Sequence, residues 1–315
     1  MRRTIAVGLW VVTFMAWLGV ASAQVGATLS GRVEDPLGLG VGGATVTVRS
    51  VETGATRTAT TDDAGNFRVV SLPVGPQEVR AGKTGFKTAV RLGVNLVVAQ
   101  DAVINVRLEV GELTQQVTVT AEAPVVNTST SSVSGLVSES QIKDLPLNGR
   151  SFDNLITLNP GAINYTSMKS ANTTTSDGNS FSVAGRRPQD NLFLLNGIEY
   201  TGSSQLAVTP GGVSGYMLGI DAIREFNVQT DTYGAEYGKR AGGQVAIVTQ
   251  SGTNALHGSL FEFLRNSALD APGAFDKGTV PPFRRNQFGG SLGGPIKKDR
   301  LFLFGNYEGY RQSLA

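Results

Sequence analysis

The chain has no cysteine and only one histidine, His257, among its 315 residues. Without cysteine it can form neither disulfide bonds nor thiolate metal sites. A zinc peptidase needs several histidine or carboxylate ligands, and a Ser-His-Asp hydrolase needs an imidazole beside its nucleophile. One histidine on a predicted strand meets neither need. The sequence therefore predicts a protein that is not an enzyme, with no catalytic residues, no metal site and no cofactor.

The chain also lacks an excess of charge of either sign. Lysine and arginine total 27, aspartate and glutamate total 25, and Arg2 and Arg3 belong to an N-terminal segment that we expect to be removed. Without these two arginines, 25 basic side chains balance 25 acidic ones. No basic cluster is present for a phosphate backbone, so nucleic acid is excluded as a partner. No Gly-Lys-Ser or Gly-Lys-Thr loop indicates nucleotide chemistry.

The N-terminal segment has the three parts of a secretory signal peptide. Arg2 and Arg3 precede an apolar run over residues 5–20, and Ala21-Ser22-Ala23 follows it. This layout predicts export of the chain and cleavage between Ala23 and Gln24, so that residues 1–23 are a signal peptide. A retained membrane anchor is the alternative, but the apolar run is short for a span of ~20 residues.

Residues 24–110 have the pattern of short strands joined by tight turns. Alternating segments recur at 28–33, 44–49, 56–61, 67–70, 78–81 and 103–110. Turn-forming residues separate them, as in Asp35-Pro36-Leu37-Gly38. In the second segment Ala44, Val46 and Val48 are expected to face a core, because alternate side chains of a strand share one face. The pattern predicts a small antiparallel β-sandwich.

Several phrases in this first module resemble one known family. They are Ser30-Gly31-Arg32-Val33, the stretch 43–48, Asp63-Ala64-Gly65-Asn66-Phe67 and Gly85-Phe86. Together they resemble the carboxypeptidase regulatory-like domain, which implies a prealbumin-like sandwich with a carbohydrate-binding-like fold. Gln77 departs from that family, which usually carries a tyrosine there. Sugar binding is a possible function by resemblance, although no aromatic platform is evident.

Residues 111–134 form a predicted linker around one extended segment, made of Gln115, Gln116, Val117, Thr118, Val119, Thr120 and Ala121. The pattern resembles the TonB box of TonB-dependent receptors, the peptide by which periplasmic TonB grips such proteins. Physically, this role needs an accessible strand that can add to a partner's sheet edge. The alternative is that the segment is the last strand of the sandwich.

Residues 135–252 mix helical and strand patterns, which predicts an α+β module. A capping box at Ser138 begins a short helix that ends near Leu145, because Pro146 disfavours its continuation. Ser151 is expected to cap a second helix. Strands are predicted at 181–184, 192–195, 223–228 and 245–249, with a hairpin turn at Asn196-Gly197.

Two short motifs and one further stretch of this module resemble a known family. The motif residues are Leu145, Pro146, Leu147, Asn148, Gly149 and Arg150, followed by Asn196 and Gly197. Together with residues 220–226 they closely resemble the plug domain of TonB-dependent receptors. The resemblance implies that a solute binds on the outer side and that TonB displaces the plug. The solute stays open: a siderophore, cobalamin, an oligosaccharide and a peptide all fit.

Six charged residues of this module are candidates for ion pairs that hold the plug reversibly inside a barrel: Arg150, Arg186, Arg187, Arg224, Glu225 and Glu236. Interfacial ion pairs set the register between two surfaces, yet entering water can weaken them. The alternative is an ordinary solvated surface.

Residues 253–315 resemble the opening strands of the same family's barrel, in its Oar-like branch. The predicted strands are 257–266, 286–295 and 301–310. In the middle strand Phe288 and Leu292 are expected to face lipid, while Gln287 and Ser291 face the lumen. About three spanning strands fit in this length, whereas the smallest outer-membrane barrels need about eight. We therefore expect a fragment of a longer reading frame or a truncated copy.

The sequence thus predicts a mainly β fold: a prealbumin-like β-sandwich, then an α+β plug domain, then the first strands of an incomplete transmembrane β-barrel. The predicted function is energy-coupled uptake of a scarce solute across the outer membrane, with TonB, outer-membrane lipid and the solute as partners. The alternative function is a cell-surface carbohydrate-binding or adhesion module without transport.

Overall fold

The computed structural model describes residues 26–111, 116–120, 133–147, 150–166, 179–200, 218–234, 237–272, 278, 280 and 282–314. Within these residues the chain is built mostly of strands, arranged in five hydrogen-bonded sheets. No helix in this part of the chain has the length and apolar character needed to cross a membrane. The predicted cleavage residues Ala23 and Gln24 lie outside the described residues.

The first module is the predicted sandwich. Its strands are β1 (Ala27–Glu34), β2 (Thr45–Ser50), β3 (Thr56–Thr60), β4 (Asn66–Leu72), β5 (Gly75–Gly82), β6 (Thr88–Leu96), β7 (Asp101–Val103) and β8 (Val106–Arg107). One sheet has the order β4-β1-β7, with β8 also paired to β1. The other contains β3-β2-β5-β6 in that order. The inner faces of the two sheets enclose one apolar core.

The core confirms the predicted alternation. Ala44, Val46 and Val48 are buried, whereas Thr45 between them is exposed. Leu29 from the opposite sheet is fully buried in the same cluster. Burial of each such large side chain contributes roughly 1.5–3 kcal/mol relative to exposure. The sandwich therefore has its own core and needs no disulfide bond.

Two details of the sandwich differ from the prediction. The strand expected over 103–110 is divided into β7 and β8, both parallel to β1. Between them the N–H of Arg32 donates to the side-chain oxygen of Asn105 at 3.0 Å, so a side chain interrupts the backbone ladder. Strand β6 was not predicted, because its buried positions do not alternate regularly and its pairing with β5 is irregular between Gln77 and Val79.

The next strand, β9 (Gln116–Thr120), extends the second sheet of the sandwich. It pairs in parallel with β6, from Thr88 opposite Gln116 to Leu92 opposite Thr120. The structure thus places these residues as the last strand of the sandwich, which was the alternative, and not on a free tether. Gln115 and Ala121 lie outside the described residues.

The plug module has a five-stranded sheet with the order β10-β15-β16-β13-β14. These strands are β10 (Val133–Val137), β13 (Leu192–Leu195), β14 (Ile198–Glu199), β15 (Ile223–Asp231) and β16 (Gln244–Thr249). A separate hairpin joins β11 (Ala162–Asn164) and β12 (Phe181–Val183). The helices are α1 (Glu139–Asp144) and three 3₁₀ turns, at Phe152–Leu158, Pro188–Asp190 and Ile220–Ala222. The mixture confirms the predicted α+β character.

One predicted helix cap is confirmed and one is wrong. Ser138 and Gln141 form the reciprocal capping box at the start of α1. Ser151 makes no cap hydrogen bond, and the following segment is a 3₁₀ helix. The Ser151 hydroxyl instead donates to the carboxylate of Asp153. The apolar side chains of this segment still reach the core, where Phe152 meets Phe226 edge-on at a centroid distance of 6.0 Å.

The predicted hairpin at Asn196-Gly197 is confirmed. Both residues have positive φ, 49° and 84°, as a tight two-residue turn requires. The Asn196 side chain also accepts a hydrogen bond from the N–H of Thr249 at 3.0 Å. This motif pair therefore fixes β13 and β14 against β16.

The last sheet contains β17 (His257–Asn266), β18 (Phe283–Lys297) and β19 (Leu301–Leu314), all antiparallel. It is open, so no barrel closes among the described residues. Gln287 is 4% exposed and Leu292 is 62% exposed, which confirms that the two faces of β18 have different surroundings. The Gln287 face lies against the plug module, and Leu260 and Leu303 are exposed on the sheet.

Candidate functional site

The plug module meets the three-stranded sheet at a cluster centred on Arg150. This residue ends the predicted Leu-Pro-Leu-Asn-Gly-Arg motif and has a positive φ of 55°. Its guanidinium donates to a carboxylate oxygen of Asp221 at 2.6 Å. It also lies over the ring of Phe261, 3.8 Å from the centroid, and 5.1 Å from that of Phe263. The bend at Arg150 thus directs one cation from the plug onto two aromatic rings of β17.

Hydrogen bonds extend this cluster across all three strands of the sheet. The Ser259 hydroxyl of β17 donates to Asp221 at 2.6 Å and lies 3.0 Å from the Ser291 hydroxyl of β18. Gln287 of β18 donates to Glu308 of β19 at 2.5 Å. Glu308 in turn lies 3.6 Å from the Arg150 guanidinium. We call Arg150, Asp221, Ser259, Gln287 and Glu308 the barrel seam.

The barrel seam is largely shielded from water. The side chains of Arg150, Asp221 and Glu308 are only 15%, 10% and 11% exposed. Two carboxylates therefore lie beside one guanidinium: Asp221 is hydrogen-bonded to it, whereas Glu308 pairs with it by charge at 3.6 Å without a hydrogen bond. A side chain at Gly219 would overlap the Glu308 carboxylate, which would have to move. These contacts give the plug a specific position on the sheet.

The rest of the motif lines a cleft beside this seam. Leu145, Pro146 and Leu147 bound a cavity of about 530 Å³ together with Phe263 and Arg285 of the sheet. Leu145 is 37% exposed, while Leu147 packs partly against the plug core. Asn148 and Gly149 lie outside the described residues. The motif therefore shapes the surface where plug and sheet face each other.

Among the described residues, the other predicted plug–barrel charges do not reach the sheet. Arg186 and Arg187 are exposed beyond the end of β12, and Glu236 lies outside the described residues. Arg224 and Glu225 face the sandwich, so their assignment to the barrel was wrong. The reason is strand direction: both lie at the start of β15, the end of the plug sheet on which the sandwich rests.

Arg224 and Glu225 make the polar part of a second seam. The Arg224 guanidinium donates two hydrogen bonds to the carboxylate of Glu52, at 2.7 and 2.8 Å. Glu225 accepts the backbone N–H of Val98 at 2.6 Å. Val74 and Val98 of the sandwich pack with Ala246 and Val248 of β16. We call Glu52, Val74, Val98, Arg224, Glu225 and Val248 the sandwich seam.

Burial affects the pKa values of the two charged side chains Glu225 and Arg224 in this seam. Removal of Glu225 from water raises the pKa of its carboxyl above 4.5, although the Val98 N–H and Arg224 favour the charged form. Glu139 and Glu52 add to the rise through like charge. For Arg224, burial lowers the pKa, but the hydrogen bonds and charge of Glu52 outweigh it and the net shift is upward. The sandwich seam thus contains one firm ion pair and one carboxylate that is costly to charge.

The predicted coupling strand lies at the edge of the sandwich. Among the described strands, β9 has β6 as its only neighbour, and the side chain of Thr118 is exposed. An edge strand has backbone groups on its outer side that can pair with an added strand. Of the predicted segment, residues 116–120 are therefore in a position that suits strand addition.

The side chain of His257 packs against its neighbours in the three-stranded sheet. Its ring stacks on Phe304 with a centroid distance of 6.1 Å, and its Nδ1 lies 3.0 Å from the carbonyl oxygen of Ala255. Among the described residues, no group of three or more His, Asp or Glu side chains could hold a metal ion.

Sequence reasoning missed the partners of the arginines. Asp221, Glu308 and Glu52 were not singled out, because each is an ordinary acidic residue in its own segment. Two signals were present: Asp221 lies in the block 220–226 that carried the resemblance, and Glu308 is on a strand whose alternate side chains face inward. Which arginine meets which carboxylate depends on contacts 71 or more residues apart.

Three family models match successive parts of the chain. The carboxypeptidase regulatory-like domain matches residues 28–109. The TonB-dependent receptor plug domain matches residues 125–245, and an outer membrane beta barrel domain matches residues 248–315. The fold and these matches define an outer-membrane receptor with a plug and the strands of a barrel.

The chain belongs to the TonB-dependent receptors, as its three matched domains show. It is 29% identical over 277 residues to the TonB-dependent transporter Oar of Myxococcus xanthus. This match covers 83% of the chain but 24% of the relative, so the chain spans about a quarter of that protein's length.

Solved structures with a similar fold include two siderophore receptors. PirA of Acinetobacter baumannii is 21% identical, with a TM-score of 0.41 over 56% of this chain and 24% of that one. The ferric enterobactin receptor PfeA of Pseudomonas aeruginosa is 20% identical, with a TM-score of 0.36 over 52% of this chain and 23% of that one. At these scores the likeness adds nothing to the assignment.

Proposed function

We propose that this chain serves energy-coupled uptake of a scarce solute across the outer membrane. In this function TonB grips the segment from Gln115 to Ala121 and displaces the plug from the barrel. The observation that supports the proposal best is the barrel seam, where an arginine and an aspartate of the plug contact Ser259 of β17 and Glu308 of β19. These two strand residues are in turn hydrogen-bonded to side chains of β18. A shielded but polar contact of this kind holds the plug in register and loses its strength when water enters.

The position of β9 supports the coupling step. Strand addition gives affinity through main-chain hydrogen bonds, which any sequence of extended residues can make. TonB would thus add a strand to the outer edge of β9.

A proline substitution tests this step. Thr118→Pro removes one N–H and disfavours strand pairing, whereas Thr118→Val keeps both the N–H and the strand propensity. We expect the purified chain to bind the periplasmic part of TonB, and the proline variant to bind it at least about tenfold more weakly. The valine variant should bind like the native chain. Equal affinity of the native and proline forms would contradict the coupling role.

Uptake itself is tested in the native host. Deletion of residues 115–121 should abolish growth on the transported solute while the protein still reaches the outer-membrane fraction. The solute is an unknown small molecule, oligosaccharide or peptide, and comparison of growth media identifies its class. Uptake that persists without these residues would rule out the proposed coupling.

Export requires the N-terminal segment to act as a signal peptide. We propose cleavage between Ala23 and Gln24, because small residues precede this bond after the apolar run. N-terminal sequencing of the exported protein should begin at Gln24, and a start at Met1 would show that the segment is retained.

A further inference from the structure

The sandwich is joined to the plug by more than the chain that links them. The two hydrogen bonds from Arg224 to Glu52 connect residues 172 positions apart, and the bond from Val98 to Glu225 connects residues 127 apart. A bidentate arginine–carboxylate pair fixes orientation as well as distance. These contacts therefore define one relative position of the two modules.

Glycine allows the modules to approach closely at this pair. A side chain at Gly75, the first residue of β5, would overlap the Arg224 guanidinium. The Glu52 turn also touches the barrel start, since its carbonyl accepts the N–H of Asn254 at 2.8 Å. The Asn254 side chain donates to Asp299, in the turn between β18 and β19, at 2.8 Å. The sandwich is thus seated on both the plug and the barrel turn.

The apolar part of the seam is small. Val74, Val98, Ala246 and Val248 form a buried cluster separate from the cores of the two modules. Nearby, a cavity of about 40 Å³ lies between Glu52, Arg224 and Thr249. An interface this small depends strongly on its polar contacts, so its position is set mainly by Arg224.

The sandwich seam lies on a short path of hydrogen-bonded residues between the coupling strand β9 and the plug sheet. Strand β9 pairs with β6, and Val98 follows β6 by two residues. Val98 in turn binds Glu225 of β15, a central strand of the plug sheet. Five hydrogen-bonded residues of β9 are therefore connected to β15 through folded structure, independently of residues 121–132.

We propose that the regulatory-like sandwich docks on the plug in one position, held by Arg224, and so fixes the coupling strand β9 relative to β15. We call this docked arrangement the clasp. Its role in coupling rests on the function proposed above, whereas the clasp itself is a property of this chain alone. Arg224 acts here as a positioning residue. While the clasp is closed, with the sandwich docked on the plug, a pulling force on β9 is transmitted through the sandwich to the plug sheet. When the clasp opens, the sandwich separates from the plug and moves away together with β9.

Disulfide trapping tests the clasp, because the chain has no cysteine of its own. A Cβ built on Gly54 lies 3.3 Å from Cβ of Asp299, close to the spacing of about 3.5–4.5 Å found in disulfides. The full chain with Gly54→Cys and Asp299→Cys should therefore form an intramolecular disulfide rapidly under mild oxidation. The rate of this reaction reports how often the sandwich is seated on the β18–β19 turn, next to the pair of Glu52 with Arg224.

Arg224→Gln in this background should slow disulfide formation about tenfold, since the bidentate pair is lost. Lys239→Gln is the matched control: it breaks an exposed ion pair with Glu199 inside the plug and should leave the rate unchanged. Exchange of the partners, Glu52→Arg with Arg224→Glu, should restore most of the rate. A rate that Arg224→Gln leaves unchanged would overturn the clasp.

Hydrogen exchange gives a second measurement that needs no substitution. The Val98 amide should exchange slowly in the native chain because it is bonded to Glu225. Exchange as fast as that of an open loop would also overturn the clasp. Neither measurement uses TonB, so a failure of TonB to bind β9 would be seen separately and would leave the clasp intact.

Discussion

The plug rests on two neighbours through seams of different chemistry. The barrel seam is polar, with one arginine shared by two carboxylates and stacked on an aromatic ring. The sandwich seam combines a bidentate ion pair with a small apolar cluster. The comparison shows how one module can be held on both sides by contacts that separate under different conditions. Entering water and added charge weaken the barrel seam. Opening of the sandwich seam is opposed by the exposure of its apolar surface to water.

The largest effect is expected from a charge in the apolar part of the sandwich seam. Val74 is 7% exposed and lines the same small cavity as Glu52 and Arg224, so Val74→Asp would bury a second carboxylate beside Glu52 and cost about 3 kcal/mol of docking free energy. Val70→Asp is the control, because Val70 is 53% exposed on the neighbouring strand. The disulfide rate of the Gly54–Asp299 pair measures docking. Similar rates for both variants would show that the cluster does not hold the seam.

The next effect concerns the barrel seam. Arg150→Gln leaves Asp221 and Glu308 close together without their shared cation, which should cost about 2 kcal/mol. Arg150→Lys keeps the charge but loses the planar fork, so its cost should be smaller. Denaturant unfolding of the chain in detergent measures both. A glutamine variant as stable as the native chain would show that the network contributes no net stability.

Comparison of two glycines separates the effect of a crowded neighbouring side chain from the effect of backbone strain. Gly75 and Gly38 both have positive φ, 103° and 82°, but only Gly75 has a neighbour, the Arg224 guanidinium. Alanine at either position strains the backbone, and only Gly75→Ala also displaces the ion pair. We expect Gly75→Ala to be about 1 kcal/mol more costly than Gly38→Ala. Equal losses of unfolding free energy would mean that the guanidinium moves aside freely.

The smallest effect is a pH dependence. Burial raises the folded-state pKa of Glu225 above 4.5, so the folded chain retains a proton that the unfolded chain has lost. This group's contribution to stability is present below pH 4.5 and is lost as pH rises through the raised pKa. Glu225→Gln should remove that slope, while Asp63→Asn, at an exposed turn, should not. A native-like profile in Glu225→Gln would assign the slope to another group.

Local patterns predicted most of the strands and turns. The alternation around Val46, the capping box at Ser138 and the turn at Asn196 depend on neighbours in the sequence, and the structure confirms all three. The cap predicted at Ser151 was wrong because its hydroxyl donates to the nearby carboxylate of Asp153, and its oxygen accepts no backbone N–H from the start of the following 3₁₀ helix. Short-range chemistry of that kind leaves no periodic signal.

The seams could be predicted only in part. Arg150 was correctly expected to face the barrel, but Arg224 and Glu225 were not expected to bind the sandwich. The direction in which β15 runs decides this, and that direction depends on its pairing with β10 and β16. The same holds for β9, whose place beside β6 joins segments 28 residues apart. Long-range pairing of this kind is not encoded in the spacing of apolar residues.

The seating of the plug on the barrel strands is the central claim, and one disulfide tests it directly. A Cβ built on Gly219 of the plug lies 3.4 Å from Cβ of Glu308 on β19, near the disulfide spacing of about 3.5–4.5 Å. In the otherwise cysteine-free chain, Gly219→Cys with Glu308→Cys should oxidise to a single intramolecular disulfide in detergent. If the two cysteines stay reduced, or pair only between molecules, the plug does not rest on these strands.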